Sequence, residues 1–205
     1  MNSRYIELCF NRCLELDSNL NHGVYLIEGM SGLSFRCFLH NLCEFPNTRY
    51  LEIGCWKGST LCAAMNENNI FLGIDNFSQF GNIRNELYEN FNKYKGKNSH
   101  FIESDCFQLN LNSDCTFNVF FFDDDHTLEA HTKSLVYFYD LLDNEFVFIV
   151  DDWNWSFVRE GTYKSIELCN LKIKYKKKIL TDDNTNDKKY FWNGVCIFML
   201  IKQVV

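Results

Sequence analysis

Proline is nearly missing from this 205-residue chain, which has Pro46 alone, and several familiar signatures do not occur at all. There is no CxxC pair, and the nearest approaches, Cys9 with Cys13 and Cys37 with Cys43, lack the knuckle spacing of a structural zinc site. No apolar run approaches the ~20 residues of a membrane span. The N-terminal stretch MNSRYIELCFNRCLELD carries two Glu and an Asp where a secretory signal needs an uninterrupted apolar core. Basic residues are also in deficit, 20 Lys and Arg against 27 Asp and Glu, giving a net charge of −7. Neutralising phosphates requires a clustered basic surplus, so a nucleic-acid partner is excluded and a small or neutral ligand fits better. Ten cysteines would suggest disulfides in a secreted chain, but Cys62, Cys106, Cys169 and Cys196 sit in apolar runs and read as reduced core residues. A reducing, cytoplasmic compartment is expected.

What is present in abundance is apolar and aromatic material. Hydrophobic residues make up 46% and aromatics 17%, with 20 Phe, enough to bury one sizeable core over residues 1–205. Five short runs rich in β-branched or aromatic residues, Arg49–Ile53, Ile70–Ile74, His100–Glu103, Phe117–Phe122 and Phe146–Val150, read as buried strands. Helical periodicity fills the gaps at about Thr60–Asn66, Asn82–Tyr94 and Leu128–Leu142. Strand and helix alternate, which implies an α/β sandwich of three layers with a mostly parallel sheet covered on both faces. Before Pro46, helices at about Tyr5–Leu20 and Leu33–Cys43 flank a glycine-rich turn region, and residues 1–45 are expected to cap the ligand site. After Trp153 a helix at about Val158–Cys169 leads into LKIKYKKKIL, where lysines alternate with Ile173 and Tyr175 as in a strand with one wet face. A polar loop, Thr181–Lys189, then precedes a last strand, Gly194–Ile201, entered through Asn193-Gly194 and returning antiparallel to complete seven strands.

The most informative segment is YLEIGCWKGSTLCAA: a strand, a turn through Gly54 and Gly58, and a helix starting near Ser59. Such a turn lets backbone approach a ligand, and free amides at a helix start attract an anionic group. The spacing is E-x-G-x-x-x-G, and Glu52 before the first glycine would repel a pyrophosphate but attract an ammonium. Twenty-three residues later Asp75 ends the second strand, where a carboxylate can accept both hydroxyls of a ribose. The third strand also ends in an acid, Asp105, placed to accept from an adenine amino group.

With these residues in order, the chain resembles the class I S-adenosylmethionine-dependent methyltransferases from about residue 27 to residue 201, and the resemblance implies a Rossmann-like fold. It assigns Glu52, Gly54 and Gly58 to the methionine end of S-adenosyl-L-methionine, Asp75 to its ribose and Asp105 to its adenine. Ser59, Asn76, Cys106 and Asp123 are implied as neighbouring cofactor contacts. Met30 and Ser31, in GMSGLS, match a loop that helps cover the cofactor in similar sugar methyltransferases.

Strand four runs into acids as FNVFFFDDDHTLEAH and strand five as FVFIVDDWNW. Parallel strands bring Asp123, Asp124, Asp125, Asp151 and Asp152 to one sheet edge, where like charges call for protons, a basic side chain or a hard divalent cation. Here the resemblance narrows to metal-dependent O-methyltransferases of the catechol type and the macrocin-type sugar enzymes. By that resemblance Asp123, Asp151 and Asp152 would hold Mg²⁺ or Mn²⁺. Asp125 or His126 would be the base, and the two stay open. Sugar-type sequences often read D-G-D-H-x-Y-E; this chain has Asp124 for the glycine and Leu128 for the tyrosine.

Each feature also has a reading without a ligand. The glycines would serve strand-to-helix packing, and the aspartates, Asp124 above all, would cap helices. His131 would be helix surface, the Lys172–Lys178 stripe a solvated face or a contact for an anionic acceptor, and Trp153 and Trp155 either a packed loop or an acceptor wall. Carried forward are a methyltransferase acting on a sugar or glycan hydroxyl, one acting on a small phenol, a nicotinamide oxidoreductase, and a nucleoside-binding module without catalysis. A homo-oligomer is compatible with all four.

Overall fold

The computed structural model describes residues 1–111, 115–182 and 189–203. Seven strands form one sheet: β1 (Arg49–Ile53), β2 (Ile70–Asp75), β3 (Ser99–Glu103), β4 (Phe117–Phe122), β5 (Leu142–Val150), β6 (Leu171–Ile179) and β7 (Val195–Lys202). Their order is β3-β2-β1-β4-β5-β7-β6. The pairs among β1 to β5 are parallel, and β7 runs antiparallel between β5 and β6. The helices are α1 (Ser3–Leu14), α2 (His22–Tyr25), α3 (Leu33–Cys43), α4 (Ser59–Ala64), α5 (Arg84–Tyr94), α6 (Leu128–Phe138) and α7 (Ser156–Leu168). No helix among the described residues is long and apolar enough to cross a membrane.

Strand alternation divides the interior into two cores, one per face. Tyr50, Phe71, Val119, Phe121, Val147, Ile149 and Ile197 pack with residues of α1, α3, α4 and α5. Leu51, Ile53, Phe120, Phe122, Phe148, Val150 and Phe198 pack with α6 and α7. The phenylalanines do most of the filling: Phe120 is fully buried and stacks on Phe148 with centroids 5.2 Å apart. The α/β/α sandwich with its antiparallel last strand is therefore as expected.

The N-terminal segment differs from expectation. The first helix stops at Leu14, because Leu16 turns left-handed (φ 53°) and the Asp17 N–H returns to the Arg12 carbonyl. The separate turn of α2 follows, capped by the Asn21 side chain. Of residues 1–45, Met30 reaches the cleft from the segment between α2 and α3. Helix α3 buries Phe35, Phe38, Leu39 and Leu42 against the sheet and belongs to its outer layer. Two further boundaries shift: β5 begins at Leu142 rather than Phe146, and helix α6 ends at Phe138 in a 3-10 turn, Tyr139–Leu141.

On β6 the expected alternation is interrupted by a register shift between Ile173 and Tyr175, so Lys172, Ile173 and Lys174 are all exposed on this edge strand. The lysines are tied locally, Lys174 to Glu145 and Lys177 to Glu7 on α1. Most of the polar loop expected at Thr181–Lys189 lies outside the described residues.

Phe120→Ala should lower the free energy of unfolding by about 3–5 kcal/mol, the cost of deleting a buried ring whose cavity cannot collapse. Urea unfolding would read this as a lower midpoint at an unchanged slope.

Candidate active site

The C-terminal tips of β1, β2, β4 and β5 open onto a cleft of about 270 Å³. Its lining includes Met30, Gly54, Trp56, Asp75, Asn76, Phe80, Asp123, Asp124, His126, Asp151, Asp152, Trp155, Trp192 and Asn193. A parallel sheet delivers ligand-facing residues to this edge because every strand ends there.

The turn between β1 and α4 is set by sterics. Gly54 has φ +83°, and a Cβ there would lie 1.9 Å from the Asp123 carbonyl oxygen, so only glycine lets this turn cross the tip of β4. Asp75 fastens the same turn from β2. Its Oδ2 accepts the N–H groups of Cys55 (2.8 Å) and Trp56 (2.7 Å), and its Oδ1 accepts that of Phe77 (2.7 Å). Those bonds hold Trp56 in a left-handed conformation, φ 46°, facing the cleft.

Glu52 does not face the cleft. It is fully buried beneath the turn, accepting hydrogen bonds from Tyr50 Oη and Thr60 Oγ1, both at 2.6 Å. Burial pushes its pKa up to about 8, against the two hydrogen bonds that favour the charged form. Gly58 caps α4 with φ 80° and lies outside the cleft lining, as do Ser59 and Ser31. Those two serines share a hydrogen bond of 3.1 Å. Ser31 is held in turn by Arg36, a buried guanidinium that donates to the carbonyls of Val24, Tyr25, Ile27 and Ser31 and to Ser31 Oγ. Burial lowers the Arg36 pKa to about 10. This clamp fixes the segment that carries Met30 to the cleft.

Asp105 also lies outside the lining. Its Oδ1 accepts from the Phe107 N–H and its Oδ2 from Gln108 Nε2, capping the 3-10 turn Cys106–Gln108. Cys106 is buried, and its thiol donates to Asp124 Oδ2 at 3.2 Å. Asp124 is thus engaged by the thiol and lines the cleft; the cap of α6 is Thr127, whose hydroxyl accepts from the Ala130 N–H.

The acids of β4 and β5 do meet. His126 Nε2 lies 2.5 Å from Asp152 Oδ2 and 3.4 Å from Asp123 Oδ1, and Asn193 Nδ2 donates to Asp152 Oδ1 at 2.6 Å. Burial opposes charge on His126, but its close contacts with the negative charges of Asp123 and Asp152 prevail, pushing its pKa up to about 11. Burial raises Asp123 to about 6 despite the imidazolium. Asp151 is buried with Oδ1 unpartnered, and burial together with the neighbouring Asp123 and Asp152 charges pushes its pKa well up. Asp125 points elsewhere: it is exposed and outside the cleft lining, so of the two base candidates His126 alone faces the cleft.

One residue expected on a helix surface is in the interior. His131 is buried edge-on against Phe122, with neither ring nitrogen partnered, and burial drives its pKa down to about 3. Gly161 of α7 packs so closely that a Cβ would come within 2.7 Å of the His131 Cβ, a tertiary contact that sequence period does not reveal. Trp153 is a core residue, while Trp155 lines the cleft edge-on to His126 at 5.2 Å. Sequence reasoning missed Trp56, Phe80, Trp192 and Asn193; for the last two, the Asn193-Gly194 turn signal beside β7 was the available pointer.

The architecture is the class I methyltransferase fold. The chain aligns with an O-methyltransferase from Bacillus cereus in complex with SAH at TM-score 0.61 and 13% identity, over 98% of this chain and 92% of that one. It aligns with cofactor-bound Rv0187 from MTB at TM-score 0.62 and 12% identity, over 99% and 92%. The precorrin 8W decarboxylase from Methanobacterium thermoautotrophicum aligns at TM-score 0.56 and 13% identity, over 87% and 94%. No family model and no curated protein matches the chain in sequence.

The Glu52 environment has a measurable consequence. In the folded chain the carboxyl keeps its proton up to about pH 8, whereas an unperturbed Glu releases it near 4.5, so stability tied to this group falls as pH rises between those values. Glu52→Gln should flatten that part of the melting-temperature profile; an unchanged slope in the variant would assign it to other groups.

Proposed function

We propose that this chain is a divalent-metal-dependent O-methyltransferase that uses S-adenosyl-L-methionine and methylates a hydroxyl of a sugar or glycan. The observation that carries the proposal is the meeting in one cleft of a β2-tip acid, Asp75, with the β4 and β5 acids Asp123, Asp151 and Asp152. A dinucleotide site would need its glycine turn to receive a pyrophosphate, and five carboxylates around the cleft oppose that. The structural neighbours that hold SAH or a cofactor share the fold and support the reading.

The residues present fit both absent groups. Gly54, Met30, Trp56, Asp75 and Asn76 surround the half of the cleft nearest β2 and would hold the nucleoside and its amino-acid tail. Asp75 spends one lone pair of Oδ1 on Phe77, leaving acceptor capacity for a ribose hydroxyl. For the cation, carboxylate oxygens of Asp123 and Asp152 lie within 4.8 Å of one another, and the orphaned Oδ1 of Asp151 adds a hard oxygen donor beside them. A divalent ion held there would lower the pKa of an acceptor hydroxyl, and S-adenosylmethionine would supply the sulfonium methyl.

The chain's own contribution is orientation and proton handling. Asp152 is held by Asn193, Asp123 by the strand tip that Gly54 crosses, and the two steady the imidazole between them. A cation that takes up the charge of those carboxylates would remove what holds His126 protonated, and the neutral imidazole would then take the hydroxyl proton. Trp155 and Trp192 offer flat apolar faces to an acceptor ring, which suits a sugar and equally a small phenol.

Three measurements test this. S-adenosylhomocysteine should raise the melting temperature and NAD should not; at a hundredfold excess over Kd the stabilisation is about 2.7 kcal/mol. Asp151→Ala should lower metal-dependent turnover about 100-fold or more, the scale of losing one electrostatic stabiliser, while S-adenosylhomocysteine still binds. Equal activity in that variant and in chelator would remove the metal. A screen with labelled methyl donor against sugars and catechols then decides the acceptor class, and labelling of catechols alone would replace the sugar reading with the phenol one.

A further inference from the structure

The charges that face the cleft are one-sided. Asp75, Asp123, Asp124, Asp151 and Asp152 line it, and His126 is the one basic side chain doing so among the described residues; no lysine or arginine joins them. Lys57 holds its ammonium 5.0 Å from the centroid of the Trp56 ring and does not itself line the cleft, its charge being met by ion pairs with Glu28 (2.8 Å) and Glu86 (3.6 Å). Asp151, buried and lining the cleft, has an Oδ1 with no hydrogen-bond partner among the described residues, an acceptor oxygen that a cation or a protonated donor would satisfy. The walls beyond the acids are Trp155, edge-on to His126, and Trp192. A narrow, apolar-walled cleft focuses the field of its charges instead of letting water screen it. Even with one divalent ion and one sulfonium ligand in place, five carboxylates exceed the positive charge of the ion, the sulfonium and His126 together, so a phosphate or carboxylate near the reacting hydroxyl meets net repulsion. An ammonium there meets attraction from the acids and from the indole face.

We infer that the acceptor cleft selects hydroxyl compounds that carry no anionic group beside the methylated oxygen, and favours those bearing a protonated amine there, such as an amino sugar or an aryl-alkylamine, over sugar phosphates, nucleotide sugars and carboxylated phenols. This rests on the methyltransferase reading for the word acceptor, but the field itself does not depend on it.

The field is read with ionic quenchers, because Trp56, Trp155 and Trp192 line the cleft and Trp153, the fourth tryptophan, is buried. At constant ionic strength, caesium should quench the protein's fluorescence more effectively than iodide once each is normalised to free N-acetyltryptophanamide. Asp124→Asn should raise iodide quenching by about 1.5-fold or more, the effect of removing one charge a few ångströms away in a partly screened site. Glu167→Gln, an exposed charge at the far end of α7, should leave it unchanged and so controls for the overall negative charge. Iodide matching caesium, or Glu167→Gln acting as strongly as Asp124→Asn, would overturn the inference whether or not the chain methylates anything. In the labelled-methyl assay, the phosphorylated or carboxylated member of each matched pair should be poorer by about tenfold or more in kcat/KM. An anionic member that is equal or better overturns it too. Failure of S-adenosylhomocysteine to bind would instead strike the methyltransferase reading alone.

Discussion

The arrangement depends on one contact: the backbone of the first turn lying directly against the backbone at the tip of β4. Gly54 presses on the Asp123 carbonyl at a separation that admits no side chain. Because of it, the glycine turn after β1 and the acid at the tip of β4 share one rim. Asp75 reinforces this by drawing the Cys55 and Trp56 amides toward β2. The two halves of the cleft are therefore coupled through backbone, not through mobile side chains.

The second constraint is electrostatic. Carboxylates gathered at a sheet edge and partly withdrawn from water are costly unless something neutralises them. The chain does so in three ways at three positions. Glu52 keeps its proton under the turn, His126 serves as counter-charge to Asp123 and Asp152, and Asp151 is pushed toward its protonated form by burial and those neighbours, with an Oδ1 that meets no hydrogen-bond partner among the described residues. That last remainder is what an external cation would complete. The surrounding aromatic core, with stacked phenylalanines, holds the strand tips in place around it.

Much of the fold was legible because its signals are local and periodic. Strands such as Phe117–Phe122 are short apolar runs ended by acids, helices between them show one apolar face, and the chain order of β and α excludes other architectures. Where the reading went astray, a tertiary contact overrode a local pattern. His131 lies on a helix of mixed polarity and looked solvated, but Gly161 lets α7 close over it. Trp153 and Trp155 are two residues apart and looked alike, yet the turn after β5 sends one into the core and the other to the cleft.

The sequence by itself determined the alternating α/β plan, the glycine turn, and the fact that acids end four of the first five strands, because these follow from residue type and spacing along the chain. Only the tertiary structure decided which acids share a cleft: Asp75, Asp123, Asp124, Asp151 and Asp152 do, whereas Glu52, Asp105 and Asp125 are buried, used as a cap or turned to solvent. The reason is that a side chain's direction at a strand tip is set by the turn that follows and by what packs against that turn. Those partners, Thr60 for Glu52 and Asn193 for Asp152, come from elsewhere in the chain.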